Sequence, residues 1–262
     1  MNLTETQIRR LQKNQKYWAK RLEKIQDEIQ VENGIDKIYA RAYKSMEKEL
    51  LSLHKAVVKN GGKMTRSQLY RMRQYRELMQ QITGISKSIN EDVNKAIYET
   101  LEKAYEQTFT ELASVVDAST FTLVDKKQVE SIIKTKFYGS HFSDRVWSNT
   151  RAIAQRMKND IVEAAVKGES RDVLVKRIKD DYDVAFFKAD RIVRTETMRV
   201  LNQSSLQKYK EFGITKVKWL TSSGACPICQ KFKNHIFDID ECLPIAHPNC
   251  KCTQIPIIDE ED

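Results

Sequence analysis

The 262-residue sequence predicts a mainly α-helical protein that ends in a small C-terminal module of a different kind. Residues 1–225 contain no proline, which is permissive for long helices because proline breaks helix interiors. Apolar residues recur there at intervals of three, four and seven, the spacing of one helical face. All four prolines and all five cysteines lie in residues 226–262, so we place a boundary near Ser222–Gly224.

The N-terminal segment predicts a long helix. Thr4 is placed to cap it, and residues 33–36 (Asn-Gly-Ile-Asp) are expected to kink or interrupt it. The apolar pattern then resumes and stops at Asn60-Gly61-Gly62, a strong helix-terminating turn.

A second long helix is predicted to run back beside the first. Thr65 and Gln68 fit a capping box at its start. Its apolar pattern continues past Gly84, so the two helices would form an antiparallel hairpin. We assign residues 1–116 to this long helical hairpin.

The middle of the chain, residues 117–213, predicts a compact helical domain. Residues 117–125 are expected to be a connector. Ser143 or Asp144 is placed to cap a helix that Gly168 ends. Further helices are expected over 126–136, 170–180 and 184–212.

The last segment, residues 214–262, predicts a small module with an acidic tail. Thr215–Leu220 alternates between polar and apolar residues and is typical of a strand. Phe232–Phe237 is expected to pair with it as a β-hairpin.

Charge is divided unevenly along the chain. The formal net charge is +9, yet residues 226–262 carry three basic and seven acidic residues, which leaves +13 on residues 1–225. A basic body favours nucleic acid or an acidic protein surface, although basic helices can simply be solvated. The sequence has no apolar stretch of membrane-spanning length, and its N-terminus lacks the apolar segment of a secretory signal, so we expect a protein made and kept in a cytoplasm or in something assembled there.

Five candidate metal ligands lie in the C-terminal module: Cys226, Cys229, His247, Cys250 and Cys252. The CxxC turn aims two thiolates at one point, and a second ligand group farther along closes the site. This pattern predicts one structural Zn²⁺ per chain, which would stabilise a segment too short for a sufficient core. Four positions are available for five donors, so the choice between Cys250 and Cys252 stays open. An all-cysteine shell with His247 beside it is the alternative.

Other interpretations of the cysteines are weaker. The absent secretory signal and the odd cysteine count disfavour disulfides, and the βαβ context of redox CxxC motifs is missing. Cys242 is expected to be a buried free thiol, and His235 a turn or strand residue.

Several motifs together resemble those of the phage minor head protein, or head morphogenesis, family, which includes the Mu F-like proteins. They are the run from Trp219 to Cys229, the sequence His247-Pro-Asn-Cys-Lys-Cys252, the block Phe142–Thr150, the stretch Gly168-Glu-Ser, and Arg194-Thr-Glu196 followed by Asn202. The resemblance covers about residues 137–255. It implies a virion protein of a tailed phage, associated with the portal protein and other capsid proteins and acting in head assembly and DNA packaging or ejection. Packaged DNA would contact the basic helical body.

The sequence favours a structural protein over an enzyme. Some members of the family carry an added C-terminal enzyme domain, which we do not expect because the sequence ends ten residues past Cys252. Arg194 and Glu196 point about 200° apart on a helix, so they cannot pair directly. We expect structural ion pairs instead, with the candidates Arg145, Arg191, Arg194 and Glu196.

Two other functions compete with this interpretation. Ser140, His141 and Asp144 lack a nucleophile motif and are not expected to be catalytic. An HNH-like, zinc-containing nuclease would need His235 with Asp238 or Asp240, which lack the motif spacing. A non-specific DNA-binding protein would need basic residues near the zinc, where this module is acidic.

Overall fold

The computed structural model describes residues 4–116 and 126–257 and confirms the mainly α-helical fold class. The expected connector over 117–125 and the acidic end over 258–262 lie outside the described residues. Within the described ranges, no helix is long and apolar enough to cross a membrane.

The described residues form helices over most of the chain and strands near its C-terminal end. In chain order the elements are α1 (Glu5–Lys13), α2 (Gln15–Glu32), α3 (Ile35–Lys59), α4 (Arg66–Arg71), α5 (Arg73–Val116), α6 (Lys126–Lys134), α7 (Phe142–Lys167), α8 (Arg171–Glu211), β1 (Lys216–Leu220), α9 (Pro227–Gln230), β2 (Ile236–Asp238) and β3 (Thr253–Ile257).

Contacts within the chain group its residues into two units. Unit 1 comprises 1–33, 97–139 and 191–262, and unit 2 comprises 34–96 and 140–190. The helices α5 and α8 contribute residues to both. The boundaries at 116/117 and 213/214 that we predicted are not edges of these units, so the three-segment division stays a prediction.

In unit 1, α2 and the second half of α5 run antiparallel. Arg21 of α2 is paired with Glu111 of α5 at 2.5 Å, and Glu32 is paired with Lys103 at 2.6 Å. Apolar side chains between these helices are buried at helical spacing, among them Leu22, Ile25, Leu101, Tyr105 and Leu112. The apolar side chains of the amphipathic pattern therefore form the core of this unit.

In unit 2, the turn after α3 matches the sequence signals. The helix α3 ends at Lys59, and Gly61 and Gly62 follow with positive φ. Thr65 and Gln68 form the predicted capping box of α4. Sequence reasoning missed the break at Met72, whose backbone is extended (ψ 135°) and separates α4 from α5.

The start of α7 differs from the prediction. His141, rather than Ser143 or Asp144, is the N-cap residue. Its backbone N–H donates to Asp144 Oδ2 at 3.2 Å, while its ring accepts from the Ser143 N–H at 3.3 Å. Asp144 therefore completes the capping box from the third helical position. Gly168 ends the helix as predicted, with a φ of 69°.

The prediction of separate helices over 170–180 and 184–212 was wrong, because α8 is one helix of 41 residues. The sequence Asp181-Tyr182-Asp183 contains no glycine or proline, so nothing in the backbone ends the helix there. Tyr182 is buried and its ring packs 5.6 Å from that of Tyr43, while Asp181 is paired with Arg156 at 3.2 Å. These contacts stabilise the helical conformation of the residues at which we had predicted a break.

The C-terminal sheet has three strands in the order β2-β1-β3 rather than the two of the predicted hairpin. The predicted pairing of β1 with the Phe232–Phe237 segment is present, as Val217 lies opposite Phe237. The strand β3 was missed because it contains Pro256, which cannot donate to a ladder. Pro256 is tolerated there because β3 pairs on one side only.

Candidate metal centre

A short helix presents the first two cysteines of the centre. Cys226 is the N-cap residue of α9, and Pro227 occupies the first helical position, where its missing N–H costs nothing. The Gln230 N–H donates to the Cys226 carbonyl at 3.0 Å and closes the first turn. Cys229 lies inside this turn and is buried, so both sulfurs face the same side.

A tight turn presents the histidine and the third cysteine. The Cys250 N–H donates to the His247 carbonyl at 3.2 Å, and Asn249 between them has a φ of 63°. Proline at the second position and a positive-φ residue at the third are typical of a type II turn. Asparagine tolerates that left-handed backbone better than most residues, which accounts for Pro-Asn between these two side chains.

These two segments bring all five sequence-predicted ligands together. The Nε2 of His247 lies 3.0 Å from the Sγ atoms of both Cys226 and Cys229. The Sγ of Cys229 lies 3.6 Å from that of Cys250. Two groups of donors result, Cys226-Cys229-His247 and Cys229-Cys250-Cys252, each with its donor atoms within 4.8 Å of one another.

The donor set fits zinc. A tetrahedral zinc ion with Zn–S bonds of about 2.3 Å sets its sulfur ligands roughly 3.8 Å apart, close to the Cys229–Cys250 separation. Thiolate sulfur with imidazole nitrogen is a set that selects zinc over hard cations such as Mg²⁺. The side chains of Cys229, Cys250 and Cys252 are each about 1% exposed, which leaves little access for water.

The ring of His247 is held with one nitrogen turned to the cysteines. Its Nδ1 lies 2.6 Å from the carbonyl oxygen of Pro248, and a ring N–H donated there leaves Nε2 with a free lone pair. Histidine ligands commonly donate their second nitrogen to a carbonyl in this way, which fixes the tautomer.

Burial and hydrogen bonding raise the pKa of two cysteines of the cluster and lower the pKa of the other two. Burial raises the pKa of Cys229 to about 12. Cys250 donates to Cys252, which lowers the pKa of Cys252 to about 5 and raises that of Cys250. The backbone N–H of Cys229 lowers the pKa of the Cys226 thiol. Cys226 and Cys252 are therefore the more acidic thiols of the cluster, and a bound metal ion would have to displace the protons of Cys229 and Cys250.

Two polar residues of α8 hold the ligand segments in place. Asn202 is fully buried, and its amide nitrogen donates to the carbonyls of Pro244 (2.7 Å) and Cys252 (2.8 Å). Its amide oxygen accepts from the Thr253 hydroxyl at 2.8 Å. The Thr195 hydroxyl accepts from the Asn249 N–H at 3.1 Å. These contacts give a physical reason for Thr195 and Asn202 in the stretch that runs from Arg194-Thr-Glu196 to Asn202.

One of the four expected ion-pair residues is buried in a pair, and its partner was missed. Glu196 binds Arg199 at 2.6 Å, with both side chains about 1% exposed. Arg199 also donates to the carbonyls of Ile132 (2.9 Å) and Ile133 (3.4 Å). The helical interval of three between Glu196 and Arg199 could have found this pair.

The other three expected ion-pair residues are less buried. Arg191 and Arg194 are exposed, and Arg145 is half-buried. The carbonyl of Arg194 accepts from the Gln26 amide at 3.0 Å, which is a backbone contact with α2. In this stretch of α8 the side chains of Arg191 and Arg194 are therefore exposed, whereas those of Thr195, Glu196 and Asn202 are buried.

The competing catalytic residues do not form a site in the described part of the chain. His235 is exposed, and its ring packs against Phe237. Asp240 is paired with Lys210 at 2.6 Å, and neither metal-ligand group contains His235, Asp238 or Asp240. The Nδ1 of His141 lies 2.7 Å from Ser143 Oγ and serves the cap of α7. Cys242 is buried, outside both groups, and burial raises its pKa to about 12.

These features define a class: a mainly helical protein whose C-terminal module is built on a Cys/His cluster and fastened to a long helix. A family described as Phage Mu protein F like protein matches residues 155–255, from within α7 to within β3. The match confirms the resemblance over this part of the chain and supports a phage head morphogenesis protein. Comparisons with curated proteins and with solved structures find no match.

Proposed function

We propose that this protein is a minor capsid protein of a tailed phage that binds the portal protein and acts in head assembly and in DNA packaging or ejection. It would reside in the virion, at the portal vertex or in the capsid interior, after assembly in the host cytoplasm. The observation that carries the proposal is the Mu F-like match over residues 155–255. That stretch contains the metal-ligand segments and the α8 residues that hold them.

The module would bind one structural Zn²⁺ through Cys226, Cys229, His247 and Cys250. We assign Cys250 to the fourth position because its sulfur lies 3.6 Å from that of Cys229, near the edge length of a zinc tetrahedron, and Cys252 of the same donor group is the alternative. Bound zinc would supply folding free energy to a segment of short strands and irregular connections. Cys252 would remain outside the shell, with its sulfur 3.9 Å from the Ser222 hydroxyl oxygen.

The role of the module would be to form a rigid docking surface rather than to perform chemistry. Four protein donors close the coordination shell, whereas catalytic zinc keeps one position for water or substrate. The three sheet strands and the α9 turn are short, so their relative positions depend on the cluster and on α8. Removal of the metal would therefore unfold the module and abolish binding through this surface.

Co-expression with the portal protein of the same phage tests the proposal. Affinity-tagged portal rings should retain the wild-type chain through size-exclusion chromatography. Cys226→Ser should abolish this retention, whereas Cys242→Ser, which changes a buried cysteine outside the cluster, should preserve it. A wild-type chain that elutes apart from the portal ring at micromolar concentrations would contradict portal association.

The nuclease alternative needs a separate experiment. Purified protein is incubated with duplex and single-stranded DNA in the presence of Mg²⁺, Mn²⁺ or Zn²⁺. We expect intact DNA, because His235 has no metal-binding carboxylate grouped with it among the described residues. Cleavage that His235→Ala removes would overturn the structural assignment.

A further inference from the structure

An exposed basic surface lies in unit 2, away from the Cys/His cluster in sequence. Residues 63–76 carry five basic side chains and no acidic one: Lys63, Arg66, Arg71, Arg73 and Arg76. All five are exposed. We call these five residues the α4 basic surface, since they lie on α4 and on the segments that flank it.

Most of this positive charge is not neutralised within the chain. Arg73 is paired with Glu77 at 2.7 Å, but in the described ranges no carboxylate pairs with Lys63, Arg66, Arg71 or Arg76. Elsewhere, exposed basic residues often have an acidic partner one helical turn away, as in Arg9–Glu5, Lys24–Glu28 and Lys134–Glu130. The α4 basic surface is therefore available for an external anion.

The surface borders a shallow depression formed with α7. This depression of about 550 Å³ is lined by Arg66 and Tyr70 on one side and by α7 residues on the other, namely Asn159, Val162, Glu163, Val166 and Lys167. The single acidic residue in that lining, Glu163, is already paired with Lys167. The ring of Tyr70 is about half exposed and packs 5.3 Å from that of Tyr75.

Contacts with the end of α7 fix the position of the segment that precedes α4. The Met64 N–H donates to the Ala165 carbonyl at 3.2 Å. A Cβ built on Gly168 would lie 2.6 Å from Cγ of Lys63 and 2.9 Å from the Gly62 carbonyl, so this close approach needs glycine. The capping box of Thr65 and Gln68 then fixes the direction of α4.

We propose that the α4 basic surface binds the phosphate backbone of nucleic acid without sequence preference. Unpaired arginines suit phosphate because the planar guanidinium can donate two hydrogen bonds to it. Hydroxyl groups of tyrosine also donate to phosphates. An acidic protein partner is disfavoured because a protein interface needs an apolar centre, and only Tyr70 and Val166 are exposed large apolar side chains here. The inference deepens the DNA-related part of the proposed function and rests on it.

The test measures binding of a fluorescein-labelled random-sequence 30-base-pair duplex by anisotropy between 50 and 300 mM salt. The variant is Arg66→Gln/Arg71→Gln/Arg76→Gln, and the control is Arg9→Gln/Lys24→Gln/Lys134→Gln. Both remove three exposed positive charges, but the control residues are paired with carboxylates. Each phosphate contact adds about 0.9 to the slope of log K against log salt.

We expect the arginine variant to bind at least about tenfold more weakly near 100 mM salt and to lose roughly two to three units of slope. The control should bind as the wild-type chain does, and both variants should keep the wild-type circular dichroism spectrum. Equal weakening in the two variants would show a net-charge effect and overturn the proposal, as would an unchanged arginine variant.

A second comparison separates this inference from the proposed function. The arginine variant should still co-purify with portal rings, because its changes lie outside the metal-binding module. Loss of portal retention with unchanged duplex binding would make the surface a protein interface and refute nucleic-acid binding there. A wild-type chain that binds duplex through these arginines but never binds the portal would instead refute the portal assignment alone. A single-stranded probe that binds more tightly than duplex would assign the surface to exposed strands.

Discussion

Unit 2 and the C-terminal module are stabilised by different means. In unit 2, apolar side chains repeat at helical spacing and are buried, as Leu50, Leu53 and Val57 are in α3 and as Ile153, Met157 and Ile161 are in α7. The module has three strands of three to five residues and one helical turn, joined by irregular segments. Besides a cluster of the aromatic rings of Trp219, Phe232 and Phe237, its order depends on a few specific contacts: the Cys/His cluster, the Asn202 amide and the Thr195 hydroxyl.

The difference predicts how each region responds to mutation. Many similar apolar contacts share the stability of a helical unit, so a single surface change there has a small effect. A small module cannot bury enough apolar area to fold alone and relies on a metal or another staple. Changes at its few specific contacts should therefore be the most destructive in the chain.

The largest effect is expected from Cys226→Ser, which removes one ligand from the metal centre. Zinc binding contributes on the order of 10 kcal/mol to folding in small zinc peptides, so the module should unfold without it. Trp219 is about 2% exposed, and its fluorescence should shift to longer wavelength while the helical signal at 222 nm is largely kept. Cys242→Ser is the control. Collapse of the helical signal in Cys226→Ser would show that the module is not a separate folding segment.

The next largest effect is expected from Arg199→Leu. Removal of Arg199 takes away the buried ion-pair partner of Glu196 and the guanidinium donor to the Ile132 carbonyl, at a cost of about 3–5 kcal/mol. The exposed Arg194→Leu should cost about 1 kcal/mol or less. Urea denaturation measures both. Similar losses for the two arginines would mean that burial does not distinguish them.

A smaller loss is expected from Asn202→Ala, which removes the amide donor to the Cys252 carbonyl and leaves the Pro244 carbonyl with only the longer bond from Gln254, at 3.3 Å. Each unsatisfied buried group costs about 1–3 kcal/mol, so the free energy of unfolding should fall by a few kcal/mol. The control is Asn159→Ala, which changes an exposed asparagine of α7 and should be close to neutral. Amide exchange should rise in β3 of the Asn202 variant. Unchanged exchange there would refute a clamping role for Asn202.

The smallest effect is a pH dependence in unit 2. Burial raises the pKa of Asp181 to about 6, opposed by its hydrogen bond to Arg156 and reinforced by Asp160. Because the folded chain binds this proton more tightly than the unfolded one, the contribution to stability is present below pH 4 and is lost as the pH rises through about 6. The melting temperature of the wild-type chain should therefore rise relative to that of Asp181→Asn between pH 7.5 and pH 5. Parallel curves for the two proteins would contradict the shift.

The sequence predicted the features that depend on local or periodic signals. Helical spacing gave the fold class, and Gly61-Gly62, Thr65-Gln68 and Gly168 each marked a real helix end. The CxxC and HPNCKC spacings pointed to the five side chains that form the two donor groups. These signals depend on neighbours within a few residues, so they can be interpreted without knowledge of the fold.

The features that were missed depend on tertiary contacts. Asp181 was expected to lie at the break between two helices, because its partner Arg156 lies on another helix and is invisible in the local sequence. The strand β3 was passed over because Pro256 argues against a strand unless the strand lies at a sheet edge. Arg199 donates to the carbonyls of Ile132 and Ile133 on another helix, so its burial could not be inferred from its own neighbourhood.

The metal content of the purified protein decides whether the Cys/His cluster is a zinc site. Protein purified without chelator is examined by native mass spectrometry and by elemental analysis, beside Cys226→Ser, Cys250→Ser and Cys252→Ser. We expect one zinc per wild-type chain, loss of that zinc in Cys226→Ser and Cys250→Ser, and its retention in Cys252→Ser. Retention in Cys250→Ser with loss in Cys252→Ser would make Cys252 the fourth ligand in place of Cys250. A wild-type chain without metal and with its cysteines paired as disulfides would refute the zinc site.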